Sequence, residues 1–383
     1  MSGRRQKHEG SRRRWPLDGS LTGQERTPTQ LRMSGLPLGR GFGTVARILT
    51  GPIACLHGRV GSVVRMVRAA VAQVRSPAST EAALDAVEDF TARAVDDGAR
   101  LVLFPEALLG GYPRGATFGA VVGERSAAGR DEFLAYSAGA VTIPGPEVEQ
   151  LARIAQAQHV HLVVGVVERA GSTLYCASVT IDDGGRVIGR RRKVMPTGSE
   201  RLVWGQGDGS TLRVTETALG RVATAICWEN LMPALRMTFY AQGVDIWCAP
   251  TADARDVQLA TMRHIAVEGR CFVLAANQVA QARDLSPAYA TSYADPDEVV
   301  CRGASVIVDP FGAVLAGPLV DEEGLLAADL NLDDVTRGRY DFDVSGHYSR
   351  PDLFTLSVDT STAEPVRGLD DFGTQTRHLE SEK

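Results

Sequence analysis

The chain has 383 residues, and its 46 Asp and Glu outnumber 41 Lys and Arg, giving a formal net charge of −5. A hydrophobic content of 44% and a charged content of 23% are typical of a globular protein. Apolar runs free of charge stay well short of the ~18 residues that a membrane helix needs, which excludes an integral membrane protein. The six Cys form no CxxC pair. We therefore expect neither a disulfide scaffold nor a zinc ribbon, and we predict a reducing, cytoplasmic location.

Charge divides the chain into two parts. Residues 1–65 contain twelve Lys or Arg and three Asp or Glu, a net charge of +9, whereas residues 66–383 have a net charge of −14. The first part is polar, rich in Arg and without hydrophobic periodicity, so we predict a disordered extension that the folded protein does not need. Many Arg and few acids also fit a mitochondrial transit peptide, an alternative that the sequence leaves open.

Strand and helix patterns alternate from Met66 onward. Residues 67–74 have the pattern of a strand, and Ser79 begins a helix whose apolar stripe ends at Gly98. A short buried strand at 101–104 then ends at Pro105. The later predicted elements are a helix near 147–158, strands at 161–168, 175–182 and 186–194, a strand at 221–226, a helix over about 231–241, a strand at 244–250, a helix over about 256–269, a strand at 271–278, a hairpin at 303–317 and an edge strand at 324–330.

These elements form two comparable strand–helix blocks, and no linker composition separates them between residues 66 and 335. The pattern predicts one α/β domain over 66–335, built as a sandwich with sheets inside and helices outside. Residues 336–383 are predicted to form an extended C-terminal arm and a polar tail.

The distribution of lysine singles out one position. Lysine occurs only at Lys7, Lys193 and Lys383, so 38 of the 41 cationic residues are Arg. On a solvated surface either residue serves, and a position that keeps Lys against such a bias indicates a need for a compact ammonium on a flexible stem. The simpler interpretation is that Lys193 is one more cation in the basic run that begins at Arg190.

Three candidate catalytic residues lie at the ends of predicted strands. Glu106 follows 101–104, Lys193 follows RVIGRRR (186–192) within the strand predicted at 186–194, and Cys227 follows 221–226. Side chains at such strand ends converge on one crevice in α/β sheets. Cys227 also precedes a predicted helix, with Asn230 as a candidate N-cap and Pro233 in the first turn. The free amides at that helix start favour a thiolate. Taken singly, a buried inert thiol and a solvated loop acid are the commoner interpretations of Cys227 and Glu106.

Other patterns indicate neither a metal nor an organic cofactor. The two-residue spacing of His159 and His161 would place both on one face if the segment were a strand, but no matched carboxylates accompany them. The glycines of WGQGDG (204–209) lack the spacing of a phosphate-binding loop. The basic run 190–192 has no interleaved aromatic residues and lies in an acidic body, so we expect no nucleic-acid partner.

Three local strings carry a family resemblance. They are FPEALLGGYPRG (104–115), RRKVMPTGSERLVWGQGDG (191–209) and ICWENLMPALR (226–236). The chain resembles the nitrilase (carbon–nitrogen hydrolase) superfamily, and the nitrilase branch in particular, over roughly residues 67–356. The resemblance implies a four-layer α-β-β-α sandwich.

The same resemblance implies a Glu-Lys-Cys triad. Glu106 matches the general base, Lys193 the stabiliser of the tetrahedral intermediate, and Cys227 the nucleophile that forms a thioimidate and then a thioester. Glu200, seven residues after Lys193, matches a second carboxylate that orients the Lys and the attacking water. A Lys between two carboxylates stays protonated, and Glu106 beside a cation stays ionised.

The implied substrate is a small organic nitrile, with Trp228 and Tyr112 as candidate substrate-binding residues. Aromatic, arylacetic and aliphatic nitriles and cyanide remain open. The resemblance also implies a homodimer or a larger homo-oligomer, extended into spirals in some nitrilases. An amidase or N-carbamoyl amide hydrolase is the alternative within the superfamily, although those branches commonly follow the Cys with Tyr-Asp and here Trp228-Glu229-Asn230 follows. A non-catalytic binding member is the alternative from another class.

Overall fold

The structure, a computed structural model, describes residues 65–285, 287–290 and 292–363. Of the predicted extension 1–65, all but Arg65 lies outside the described residues, as does the tail 364–383. The strands are β1 (Met66–Arg75), β2 (Leu101–Leu103), β3 (His161–Ala170), β4 (Thr173–Ile181), β5 (Val187–Arg192), β6 (Thr215–Thr217), β7 (Gly220–Thr224), β8 (Ile246–Thr251), β9 (Phe272–Gln281), β10 (Val299–Val308), β11 (Val314–Val320) and β12 (Gly324–Asn331). The helices are α1 (Thr80–Asp96), α2 (Ala127–Gly139), α3 (Pro146–Gln158), α4 (Pro233–Tyr240), α5 (Val257–Gly269), α6 (Pro287–Ala290) and α7 (Asp333–Asp341).

The strands form two halves of six. The first half has the order β12-β1-β2-β3-β4-β5, and the second has the order β6-β7-β8-β9-β10-β11. The central strands β1-β2-β3 and β7-β8-β9 are parallel, whereas the flanking pairs are antiparallel. The halves join where the end of β1 pairs with β9, through Val74 with Gln278 and Arg75 with Val279. Ends of parallel strands from both halves therefore reach the same region.

Alternating side chains place these halves back to back. On β1, Ala69 and Val71 face a core shared with the second half, while Ala70 and Ala72 pack on the side of α1 and α3. The same alternation occurs on β8, where Ile246 faces the shared core and its neighbours pack towards α4 and α5. Successive strand residues point to opposite faces, so both faces of each half must be covered. The layers are helix, sheet, sheet and helix, as the sequence predicted.

Most predicted elements lie within a few residues of the observed ones, but β6, α6 and α7 have no predicted counterpart, and three further differences follow. The predicted helix over about 231–241 is a 3-10 turn at Cys227–Leu231 followed by α4. Helix α2 was not predicted, because Gly129 is its one buried residue and its apolar stripe is correspondingly weak. The boundary predicted at residue 335 falls inside α7.

The described part of the C-terminal arm returns to the domain. The Ala363 amide donates a hydrogen bond to Oδ2 of Asp208 at 2.8 Å, and the carbonyl of Asp359 lies so close to Gly209 that a Cβ there would be 1.8 Å away. None of the helices in the described part of the chain has the length and apolarity that crossing a bilayer requires.

Candidate active site

Glu106 is held by close backbone packing between the loop after β2 and strand β3. The amides of Leu108 and Leu109 both donate to the carbonyl of Gly165. A Cβ built on Gly165 would lie 2.1 Å from the Pro105 carbonyl oxygen and 2.7 Å from the Glu106 Cα, so glycine is required at this crossing. The Glu106 side chain is fully buried, which excludes its interpretation as a solvated loop acid.

Lys193 directly follows β5, and its amide donates to the carbonyl of Cys176 on β4. Its Nζ lies 2.7 Å from Oε1 of Glu106 and 2.7 Å from Oε2 of Glu200, and the side chain is fully buried. Burial alone would lower the pKa of Lys193, but the charge of Glu106, with the nearby thiols and Glu200, outweighs it and raises this pKa above its ordinary value. Lys193 is therefore a buried ammonium between two carboxylates and not one more surface cation.

Glu200 is fixed by a 3-10 turn at Gly198–Leu202. Its Oε2 accepts from the Thr197 amide at 2.6 Å as well as from Lys193, and its Oε1 accepts from the Tyr112 hydroxyl at 2.8 Å. Burial, with the charges of Glu106 and Glu200, raises the pKa of Tyr112, so this hydroxyl stays a donor. The carboxylate thus gives the ammonium a second fixed acceptor besides Glu106.

The two oxygens of Glu106 have different surroundings. Oε1 accepts from Lys193 and from the thiol of Cys176, whose Sγ lies 3.4 Å away, whereas no donor from the described residues reaches the buried Oε2. Burial raises the pKa of Glu106 and the Lys193 charge opposes this shift. The result is a carboxylate more basic than a solvated one, with one oxygen free to take a proton.

Cys227 follows β7 in a backbone conformation that side chains rarely adopt, with φ of +53°. Its Sγ is in hydrogen-bond contact with the Thr251 side chain and the Ala252 amide. Burial, and next the Glu106 charge, raise the pKa of the Cys227 thiol, although Lys193 opposes them. The prediction that amides of a helix start favour a thiolate is therefore wrong for the resting site. Burial prevails, and the thiol must lose its proton to a base.

Asn230 is not the helix cap that the sequence predicted. Its Nδ2 donates to the carbonyls of Ala225 and Cys227, and its Oδ1 accepts from Nε1 of Trp247 at 2.7 Å. Helix α4 instead begins at Pro233, as predicted for that proline, without a side-chain cap. The amide of Asn230 therefore holds the turn that carries Cys227.

A cavity of about 450 Å³ opens beside Cys227. Trp228 is 41% exposed, donates from Nε1 to Oδ2 of Asp253 at 2.8 Å and lies beneath the guanidinium of Arg255, whose Cζ is 4.6 Å from the ring centroid. Glu106 and Lys193 are buried and do not line this cavity. The lining includes Tyr112, Arg114, Thr197, Glu200, Cys227, Trp228, Asp253 and Arg255. Both residues predicted to bind substrate, Tyr112 and Trp228, thus border the space next to the thiol.

Sequence reasoning missed three contributors. Cys176 was not distinguished from the other apolar-strand cysteines, because no local signal shows that its thiol meets Glu106. Thr251 ends β8 and could have been found as another residue at a strand end. Glu229 entered the sequence analysis only because it stands where the amidase branches commonly have Asp.

Among the described residues, no group of three or more His, Cys, Asp or Glu side chains could hold a metal ion.

Comparisons with known proteins identify the family of this chain. The carbon–nitrogen hydrolase family model matches residues 68–340. The chain is 51% identical over 306 residues to a bifunctional nitrilase/nitrile hydratase of Nicotiana tabacum, covering 78% of this chain and 88% of that protein. It is 49% identical over 301 residues to an aliphatic nitrilase of Sinorhizobium fredii, covering 78% and 97%. A solved carbon–nitrogen hydrolase of Helicobacter pylori superposes with a TM-score of 0.61 at 20% identity, covering 76% and 97%, which supports the fold.

Proposed function

The chain belongs to the nitrilase branch of the carbon–nitrogen hydrolase family, and from this membership we propose that it hydrolyses an organic nitrile to the carboxylic acid and ammonia. One observation carries the proposal. Lys193 is buried between Glu106 and Glu200 at 2.7 Å from each, and Cys227 lines the neighbouring cavity. A base, a fixed positive charge and a nucleophile are the three groups that addition to a nitrile needs.

Cys227 begins the reaction as the nucleophile. Its proton passes to Glu106, and the sulfur adds to the nitrile carbon while the nitrogen takes the proton, which gives a thioimidate. The raised pKa values of both Cys227 and Glu106 suit this transfer, because the thiol keeps its proton until a strong carboxylate base accepts it. General base assistance of this kind contributes about 10²–10⁴-fold to the rate.

Two waters complete the hydrolysis. The first, deprotonated by Glu106, adds to the thioimidate carbon to give a tetrahedral intermediate that carries an amino group. The nitrogen gains two protons in all, the one that Glu106 took from the water and then the one left on the new hydroxyl, and it leaves as ammonia while the hydroxyl oxygen becomes the carbonyl of a thioester. A second water, activated in the same way, adds to the thioester, and loss of the thiol releases the carboxylic acid and restores Cys227.

Lys193 stabilises the negative charge that develops on the substrate nitrogen and later on oxygen. Its ammonium is already oriented by Glu200, which Thr197 and Tyr112 hold in turn, so no reorganisation is needed as charge develops. Removing one such donor costs about 10²–10³ in rate. Tyr112 and Trp228 are proposed to contact the substrate where they line the cavity.

The tetrahedral intermediate allows a second product. If the thiol leaves before ammonia, the product is the amide, formed with one water and not two. The name of the Nicotiana tabacum relative, a bifunctional nitrilase/nitrile hydratase, supports this second activity as a candidate here. The acid-to-amide ratio then depends on which leaving group is protonated first.

A substrate panel tests the proposal. Purified protein is offered benzonitrile, phenylacetonitrile, an aliphatic dinitrile and the matching amides, and ammonia, acid and amide are all measured. We expect acid and ammonia from at least one nitrile and little ammonia from the amides. Ammonia from amides alone would contradict the proposal and favour an amidase with the same triad. The best nitrile would define the substrate class of the cavity.

Two further properties are proposed. From the family we expect a homodimer or larger homo-oligomer, which light scattering on the purified chain tests through a molar mass above 40.9 kDa. From the six Cys without a CxxC pair we propose a reducing, cytoplasmic location. Cell fractionation tests the second property.

A further inference from the structure

Glu229 has no role in the chemistry described above, yet it is fully buried two residues after the nucleophile. Its Oε1 accepts from the Val194 amide at 2.6 Å and from Nη2 of Arg191 at 2.7 Å. Its Oε2 accepts from the Ile226 amide at 2.8 Å. Both carboxylate oxygens are therefore used, and Arg191, itself buried, balances the charge.

The two backbone amides that Glu229 binds flank the proposed catalytic residues. Val194 directly follows Lys193, and Ile226 directly precedes Cys227. Lys193 follows β5 in the first half of the sheet, whereas Cys227 follows β7 in the second half. One carboxylate thus joins the end of one half to the end of the other at the point where their functional groups meet.

We propose that Glu229 is a positioning residue that sets the separation between the Lys193 ammonium and the Cys227 sulfur. The effect on kcat that we expect from this role rests on the proposed function. Glu106 and Glu200 hold Lys193 from within the first half, and Asn230 holds the Cys227 turn from within the second. Glu229 links the two groups directly through the backbone. A misplacement of about 1 Å can cost about 10² in rate at a catalytic site.

The geometry requires a carboxylate of this length. A glutamine has one acceptor oxygen and one donor nitrogen, so its NH₂ group would face either the Ile226 amide or the pair formed by Val194 and Arg191. Such a donor facing a donor leaves a buried amide unsatisfied. An aspartate keeps the charge beside Arg191 but is one methylene shorter, so it cannot reach both amides.

The test uses Glu229→Asp first, because it retains the buried ion pair and the charge balance of the fold. We expect kcat for the best nitrile to fall about 10²-fold with KM little changed, because the reacting groups and not the cavity wall are displaced. The rate at which iodoacetamide alkylates Cys227, read by mass spectrometry, is expected to fall as well. Glu229→Gln is expected to lose at least as much kcat and also stability, because Arg191 is left unpaired.

Asp245→Asn is the matched control. Asp245 is also buried and accepts from Nε, Nη2 and the amide of Arg221, but this cluster lies at the start of β7, opposite Cys227. We expect this variant to lose stability and keep kcat. A kcat equal to that of the wild type in Glu229→Asp would overturn the proposal. An equal loss of kcat in Asp245→Asn would also overturn it, because the loss would then come from general destabilisation of the fold and not from the position of Glu229.

Alkylation separates this inference from the proposed function. If the wild type turns over no nitrile and the Glu229 variants still alkylate more slowly than the wild type and Asp245→Asn, the proposed function fails and the positioning role stands. If the wild type turns over nitriles and the Glu229 variants match it in both readouts, the positioning role fails alone.

Discussion

The Nζ atom of Lys193 lies 2.7 Å from Oε1 of Glu106, and neither side chain reaches the surface. A buried ion pair is costly to form unless other hydrogen bonds complete it, and here Glu200 and Cys176 do so. Removing one partner leaves a charge without compensation. This relationship determines how the site should respond to substitution, because each member fixes the charge state of the others.

Lys193→Arg keeps the charge and should nevertheless be almost inactive. The planar guanidinium cannot occupy the compact position between Glu106 and Glu200, so kcat is expected to fall by about 10²–10³-fold. Steady-state kinetics on the best nitrile measures this. Arg186→Lys, a comparable exchange at a side chain that is 81% exposed, is the control and should leave turnover unchanged. Turnover in Lys193→Arg equal to the wild type would contradict the assigned role.

Cys227→Ala should abolish both turnover and alkylation at that position. The nucleophile cannot be replaced by water at a useful rate, and Ala removes the sulfur without adding volume. Cys248→Ala is the control, because burial in β8 raises the pKa of Cys248 to about 12 and makes it unreactive. Peptide mass spectrometry after iodoacetamide treatment should find the label at Cys227 in the wild type and in Cys248→Ala. A variant without Cys227 that still makes acid would refute the mechanism.

Activity should depend on pH through Glu106. The base acts when ionised, so activity is present above its pKa and is lost as the pH falls through it. Since burial raises this pKa, the loss should be centred above the ordinary value of 4.5. Cys176→Ala removes a hydrogen bond that lowers the pKa of Glu106, so the acid limb of kcat should move to higher pH.

The control for this shift is Cys271→Ala. Cys271 is also a buried thiol, with its pKa raised to about 12 by burial, but its charged neighbours are Arg339, Asp245 and Glu268 and not the site. The acid limb of this variant should match the wild type. An unchanged limb in Cys176→Ala, or a shift in the opposite direction, would show that the thiol does not act on the base.

Gly165→Ala should destabilise the fold and the Glu106 loop together. The new Cβ would meet backbone atoms of Pro105 and Glu106 at 2.1 and 2.7 Å, and neither can rotate away. We expect a loss of about 3 kcal/mol in the free energy of unfolding, the upper part of the range for overpacking. Gly139→Ala is the control, because the nearest atom that its new Cβ would meet outside its own helix, Oγ1 of Thr80, would be 3.8 Å away. Denaturant unfolding of both variants provides the measurement, and equal stabilities would contradict the close crossing.

The strand ends could be predicted from the sequence, and with them the convergence of Glu106, Lys193 and Cys227. Short apolar runs bounded by Pro or Gly mark the parallel strands that precede Glu106 and Cys227, and parallel strands bring their carboxyl ends to one edge. Strand β5, which precedes Lys193, runs in the same direction as β3 because two antiparallel pairings separate them. Glu200 carries no such signal and was found through the family resemblance. The raised pKa of Cys227 could not be predicted, because it depends on burial by residues distant in sequence. Asn230 was assigned to a helix cap for the same reason, since its partner Trp247 lies on another strand.

Because Lys193 is buried, its chemical modification can be used to measure how often the site opens to solvent. The chain has no other lysine between Lys7 and Lys383, and both of those lie outside the described residues. An amine-directed acylating reagent therefore has one target within the domain, and it can modify that target only while the surrounding structure is transiently open. The rate of acylation on the single peptide that contains Lys193 would measure how often the interior admits solvent. Binding of a substrate that closes the site should lower the rate at which Lys193 is acylated.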